Sequence, residues 1–301
     1  MRPIRSTHSV PPFGALARLL AAVVWLAGPG CAPSDERVEP PPAPERVTVR
    51  AVSEQAGWTP GAVQTIGLLF AVEPDWHLYG NLRSDSGLPL EIHPEPPPGF
   101  VVEEIAWPAP ERLVSPGGIL DHVYEEETLL MLRVKVPEEL VVGRVVAFPC
   151  SVAWLVCGTG CIPGSARPVL ELPVLPSGAP TSEDAALFRQ ARERVPAPIE
   201  ETAAAIRIET GPETAILEVP GAAGLTFLPS ESCVPLEDPI ADAVSETDRL
   251  RLRYAPGIAP PVRIAGILEI RRPAGRSYVS IGLPPTGRKE EATEPVTGGS
   301  P

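Results

Sequence analysis

The sequence is short of positive charge. Its 301 residues carry 25 Lys and Arg against 38 Asp and Glu, a formal net charge of −13. Arg2, Arg5 and Arg18 are the only formal charges in residues 1–30, so the remainder stands at −13 − 3 = −16. A nucleic-acid partner needs a basic face, and this balance excludes one. An acidic, soluble surface is the plain reading. After residue 30 there is no apolar run long enough to cross a membrane as a helix. Long helices are also disfavoured, because 41 prolines interrupt the chain. His77, His93 and His122 are scattered, so no third and fourth ligand stands near any cysteine pair. That spacing points away from a metal site, and no cofactor is expected.

What is present begins with an export signal. A basic stretch ends at Arg18, followed by the apolar run Leu19–Ala27, too short to span a bilayer well. Cys31 follows Gly28-Pro29-Gly30, the place of an acylated lipoprotein cysteine, although Gly28 stands where an aliphatic residue is usual. Lipidation at Cys31 and plain signal cleavage are both open, and either route exports the chain. Residues 31–46 are rich in proline and charge and read as a tether.

Hydrophobic residues make up 44% of the chain, enough for a packed core. Strand-like runs are expected at Val47–Val52, Gln64–Val72, Trp76–Tyr79, Leu88–His93, Val101–Trp107, Thr128–Val136, Val145–Val156 and Val169–Leu175. Turn clusters such as Ser115-Pro116-Gly117-Gly118 separate many of them, the pattern of an antiparallel sandwich over residues 47–176. A linker over 177–200 carries a short helix, Glu183 to about Arg194, capped by Thr181 or Ser182. Strands resume at Ala204–Glu209, Ala215–Val219, Leu225–Leu228, Leu250–Tyr254, Ile264–Ile270 and Tyr278–Leu283, a second, smaller β domain over 201–286. Residues 287–301 read as a disordered tail.

With Cys31 set aside, four cysteines remain: Cys150, Cys157, Cys161 and Cys233. In the run from Val146 to Cys157, the residues Val146, Phe148, Cys150, Val152, Trp154 and Val156 share one parity and are apolar. That face is expected in the core. Ser151, Ala153, Leu155 and Cys157 share the other, more open face, which puts Cys150 inside and Cys157 on the accessible side. Pro149 is where a bulge would shift this phase. An extended chain would hold Cys157 and Cys161 about 13 Å apart, whereas a disulfide needs Cα atoms about 4.4–6.8 Å apart. Gly158-Thr159-Gly160 permits the required turn through positive φ. A bridge across so small a loop adds little stability, so a redox pair and an ordinary hairpin disulfide are both open. Cys150 and Cys233 are either two buried free thiols or a second bridge. The bridge would close a loop of 83 residues (233 − 150) and contribute about 4–5 kcal/mol in the chain-entropy account.

Three ordered motifs go further. They are Trp154-Leu155-Val156-Cys157 with Cys161-Ile162-Pro163-Gly164; Pro74-Asp75-Trp76-His77-Leu78-Tyr79-Gly80 with Asp85-Ser86-Gly87-Leu88-Pro89; and Ile105 to Arg112 followed by Tyr124-Glu125. Residues 45–175 resemble the amino-terminal periplasmic domain of the thiol:disulfide interchange protein DsbD, in its ScsB-like branch. The resemblance implies an immunoglobulin-like sandwich with Cys157 and Cys161 as the redox, catalytic pair. It implies partners too: a membrane-embedded or thioredoxin-like electron donor, and periplasmic thiol oxidoreductases as acceptors. Leu113–His122 falls where the family has a cap loop, and here it lacks the family's aromatic cap. The sequence contains no Cys-x-x-Cys and none of the family's electron-channel segments, so either a separate membrane partner serves it or the relay role has been lost. His77, Tyr79 and Trp154 are the supporting candidates at the pair; Trp76, Trp107 and Tyr124 read first as packing residues.

The sequence therefore points to an all-β envelope protein that passes reducing equivalents through Cys157 and Cys161, a protein-disulfide reductase-like component that would reach the membrane only if Cys31 is lipidated. Two other functions compete with it. One is a non-enzymatic β-sandwich binding or scaffold lipoprotein with a structural disulfide. The other is copper handling by the same thiols.

Overall fold

The computed structural model describes residues 46–176, 178–202, 206–259 and 261–283. The export signal, Cys31, nearly all of the tether and the tail lie outside the described residues.

The first domain holds β1 (Val47–Ser53), β2 (Val63–Val72), β3 (His77–Tyr79), β4 (Glu91–Pro94), β5 (Val101–Ala106), β6 (Glu111–Ser115), β7 (Ile119–Tyr124), β8 (Glu127–Lys135), β9 (Val145–Cys157), β10 (Cys161–Ala166) and β11 (Val169–Pro173). They form two facing antiparallel sheets. One runs β1-β2-β8-β5; the other runs β10-β9-β3-β7-β6, with β4 and β11 also paired to β9. This is an antiparallel, immunoglobulin-like sandwich.

The alternation along β9 supplies four residues of its core. Phe148, Cys150, Val152 and Val156 are buried among Phe70, Leu78, Leu130, Leu132 and Trp58. Pro149 introduces no shift of phase: it stays in register with Val169, and the next residue, Cys150, opposes Pro94. Pro149 instead lies where β9 changes partner. β11 pairs its first part, Val145–Pro149, and β10 pairs Val152–Cys157.

The strands β2 and β8 are buried on both faces, because a helix covers the outer side of their sheet. This is α1 (Ala185–Arg192), whose Phe188 and Ala191 pack on Val52, Leu69, Leu129 and Met131. The Ser182 hydroxyl accepts the Asp184 N–H at 3.1 Å at its start. Ion pairs from Arg192 to Glu54 and from Arg50 to Asp184 fasten it to the β1 side of the sheet.

The second, smaller β domain contains β12 (Ala197–Pro198), α2 (Ile199–Thr202), β13 (Arg207–Thr210), β14 (Thr214–Glu218), β15 (Gly224–Pro229), β16 (Val244–Ser245), β17 (Arg249–Arg253), β18 (Gly266–Arg272) and β19 (Gly275–Ile281). Its sheets run β12-β19-β18-β15-β16 and β13-β14-β17 around a core that includes Leu217, Phe227, Leu252 and Leu268. Because β12 pairs with β19, this domain takes up residues that the sequence assigns to the linker.

Two strands appear where the sequence suggests a loop. Residues 113–122, read above as a cap loop, belong to the β6–β7 hairpin. Its turn has Pro116 second, Gly117 third at φ 95°, and a bond from Gly118 N–H to the Ser115 carbonyl, the type II pattern. The hairpin and the loop after β3 face the second domain. Leu82 and Ala109 pack against Leu228, Ile267 and Tyr278. Arg112 donates to the carbonyls of Pro239 and Ile240, and Arg83 to those of Glu231 and Cys233.

Candidate functional site

The site lies at the end of β9. Cys157 is its last residue and Cys161 opens β10, directly opposite in the antiparallel register. Their Cα atoms are 4.1 Å apart and the sulfurs are bonded. The intervening turn closes without positive φ at either glycine, contrary to the expected device. Gly158 is needed for space instead: a Cβ there would stand 2.8 Å from the Asp75 carbonyl oxygen and 2.9 Å from the Trp76 ring. Trp76 is thus a floor for the turn, with the Arg46 guanidinium 4.9 Å above its ring centre. The turn before β3 supplies that floor. Pro74 stands second, Asp75 third at φ 67°, and Trp76 N–H bonds the Glu73 carbonyl, again the type II pattern.

The two sulfurs differ in exposure. Cys161 is exposed. Cys157 keeps only 4% of its surface, so the expectation of an accessible Cys157 is corrected. The predicted face is right, since Cys157 points away from the main core. That face is itself covered, by Tyr79 and Val123 with Leu113 and Leu155 packed against them. Leu113 comes from β6, so the hairpin adds an aliphatic side chain to this cluster.

On the other side of β9, His77 is the direct cross-strand partner of Cys157. Opposed residues in an antiparallel pair have Cβ atoms about 4.5–5.5 Å apart, and the row across the sheet reads Cys161, Cys157, His77. His77 is half-buried, and its pKa is lowered by desolvation, against the opposing pull of Glu125 and Asp121. Its Nε2 lies 3.4 Å from the Tyr79 hydroxyl, which lies 3.3 Å from the Ser86 hydroxyl. Ser86 in turn donates its hydroxyl and its N–H to the two oxygens of buried Asp121, at 2.7 and 2.9 Å. Next in the chain, Gly87, at φ 73°, lies flat on the Tyr79 ring, where a Cβ would clash at 2.1 Å. The Asp85–Pro89 motif therefore holds Tyr79 in place beside the disulfide. Asp121 and Ser86 were not identified from the sequence, where Ser86 stood only as a motif position.

Other candidates fall elsewhere. Trp154 faces the core, edge-on to Phe70 at 6.4 Å, and lies against Gly164, where a Cβ would be 2.5 Å from its ring. It sets the β9–β10 packing and does not join the disulfide's face. Tyr124 is buried and donates to the Pro108 carbonyl at 2.7 Å, while Trp107 packs at the margin of the core. His93 is on the surface beside Glu91, and His122 is buried with Nδ1 at the Arg83 carbonyl. The Cys150–Cys233 bridge does not form: each is a free buried thiol, one in each domain's core. Burial pushes the Cys150 thiol up to about 12 and raises that of Cys233. No cluster of three or more metal-ligating side chains occurs among the described residues. Nor is any described helix long and apolar enough to cross a membrane.

Comparison with known proteins covers both domains. Residues 47–173 match the family model for the amino-terminal part of the thiol:disulfide interchange protein DsbD. No curated protein matches the chain. Among solved structures, the N-terminal periplasmic domain of ScsB from Proteus mirabilis is 15% identical at a TM-score of 0.51, covering 80% of this chain and 94% of that one. This likeness shows a shared fold. The reduced N-terminal domain of Neisseria meningitidis DsbD is 9% identical with a TM-score of 0.26, covering 44% of this chain and 87% of that one. With its sandwich fold and the bonded Cys157–Cys161 pair, the stretch from residue 47 to residue 173 is a DsbD/ScsB-like N-terminal domain.

Proposed function

We propose that this protein is a thiol–disulfide exchange module of the bacterial periplasm, acting through Cys157 and Cys161. The observation that carries the reading is the unequal burial of the two bonded sulfurs, one exposed and one enclosed. Exchange proceeds by attack of a thiolate on one sulfur while the other departs. A partner's thiolate can reach Cys161 from solvent. It forms a mixed disulfide there, and the electron pair of the broken bond passes to Cys157. The donor's second thiol then attacks its own sulfur in the mixed disulfide and releases Cys161. In the reverse direction the Cys161 thiolate attacks a partner disulfide and Cys157 resolves it. Thiol oxidoreductases, among them thioredoxin-like proteins, are the partners this chemistry fits. The resemblance to a periplasmic domain supports the location.

A redox titration of the mature protein in glutathione and then dithiothreitol tests this, read by thiol alkylation and mass spectrometry. Reversible opening of Cys157–Cys161 in the folded protein, with Cys150 and Cys233 unmodified, is expected. A bridge that opens only on unfolding would make it a structural staple and the protein a binding or scaffold domain.

A further inference from the structure

We infer that His77 is the proton-holding partner of Cys157, so that opening the disulfide creates a thiolate–imidazolium pair inside the sheet. The inference rests on the exchange reading above and adds to it the residue that receives the departing charge.

When a thiolate attacks Cys161, the new S–S bond leaves two electrons on the Cys157 sulfur. That sulfur is buried in a cluster with Tyr79 and Val123, with little water to solvate an anion. An unpaired buried charge is costly, so the thiolate must gain a proton or a cation. His77, directly opposite on β3, is a group able to take a proton from solvent and keep it. It is half-buried, and so retains a path to water.

The charged groups around His77 favour this behaviour. From β7 comes the Asp121 carboxylate, and just beyond that strand Glu125; both favour the protonated ring. From the loop after β3 comes Ser86, which ties Tyr79 to Asp121. From β9 comes Cys157 itself. Arg46, the cation over neighbouring Trp76, is already paired with Glu73. While the disulfide is closed, desolvation prevails over the two carboxylates and disfavours the protonated ring. Once the sulfur carries charge, a third anion stands opposite the ring, and the balance reverses. One proton enters from solvent and is shared by Cys157 and His77, which then titrate as a pair.

The test is a titration of the full chain in both redox forms by NMR, following the His77 ring and the Cys157 Cβ. The His77 ring should titrate below the ordinary histidine range with the disulfide closed and above it in the dithiol. In a Cys161→Ser background, adding His77→Gln should lower the fraction of Cys157 present as thiolate at neutral pH by about tenfold or more, which is one unit of pKa. Tyr79→Phe, which removes the hydroxyl and keeps the ring, should move Cys157 the same way by less. Identical His77 titration in the two redox forms overturns the inference, as does a Cys157 curve unaffected by His77→Gln. If His77→Gln fails to fold, the comparison of redox forms in the unsubstituted chain decides alone. Reversible opening by glutathione with a His77 ring that does not respond would leave the exchange reading standing and remove only this one.

Discussion

Replacing Arg112 by alanine should loosen the cover over the disulfide from the opposite face of the strand that provides it. Leu113 packs in the cluster around Cys157, while its neighbour Arg112 reaches the second domain, because successive residues of β6 point to opposite faces. The Arg112 guanidinium donates to the Ile240 carbonyl at 2.6 Å and to the Pro239 carbonyl at 3.3 Å. A hydrogen bond from a charged donor contributes about 1.5–3 kcal/mol. The longer bond is weak, so the substitution should cost about 2 kcal/mol of hairpin docking. That corresponds to about a thirtyfold rise in the open population. Hydrogen exchange at the Leu113 and Val123 amides should report the opening directly. The second-order rate of disulfide reduction by dithiothreitol should rise in step, since Cys161 is already open to attack and departure of the enclosed Cys157 sulfur needs the cover to yield. Faster exchange in the hairpin with an unchanged reduction rate would refute the coupling between the second domain and the site. No change in either would refute the docking role of Arg112.

Three further outcomes follow from the same geometry. Gly158→Ala places a methyl group against the Asp75 carbonyl and the Trp76 ring, and should lower stability by about 1–3 kcal/mol in denaturant melts, as overpacking does. Cys150 and Cys233 should resist alkylation in the folded protein and react together on unfolding, since burial raises both thiols; peptide mapping across a urea series reads this out. Glu95 is held at about 2, chiefly by Arg167 and then by the Ser151 hydroxyl. Its folded value is below its unfolded one, so what it contributes is present above the unfolded carboxylate range, about 4.3, and is lost as pH falls through about 2. Its carboxyl carbon resonance should therefore stay in the ionised position down to that range, and Arg167→Ala should return it to ordinary titration.

How much of this was legible in the sequence depended on whether the determining contact was local. The phase of β9 could be read because a period of two is written in Phe148, Cys150, Val152 and Val156, and each burial decision belongs to its own strand. The helix over Ala185–Arg192 was legible from signals equally local, a Thr181 or Ser182 cap before it and Pro196 and Pro198 after it. The β6–β7 hairpin was not, although its turn residues were. Its second strand buries Asp121 and His122, which break the apolar alternation. The groups that bond to them, Ser86 and the Arg83 carbonyl, lie 35 and 39 residues away. No local window holds that compensation. The burial of Cys157 failed to appear for the same reason, since Tyr79 and Val123, which share its cluster, come from two other strands. Composition and spacing could therefore identify the pair of sulfurs but not distinguish them. The distinction, one sulfur open to a partner and the other enclosed opposite a histidine, arises only where β9, β3 and β7 are brought side by side in one sheet. It is also the property that gives thiol exchange a direction at this site, because an incoming thiolate can reach one sulfur and must displace the other.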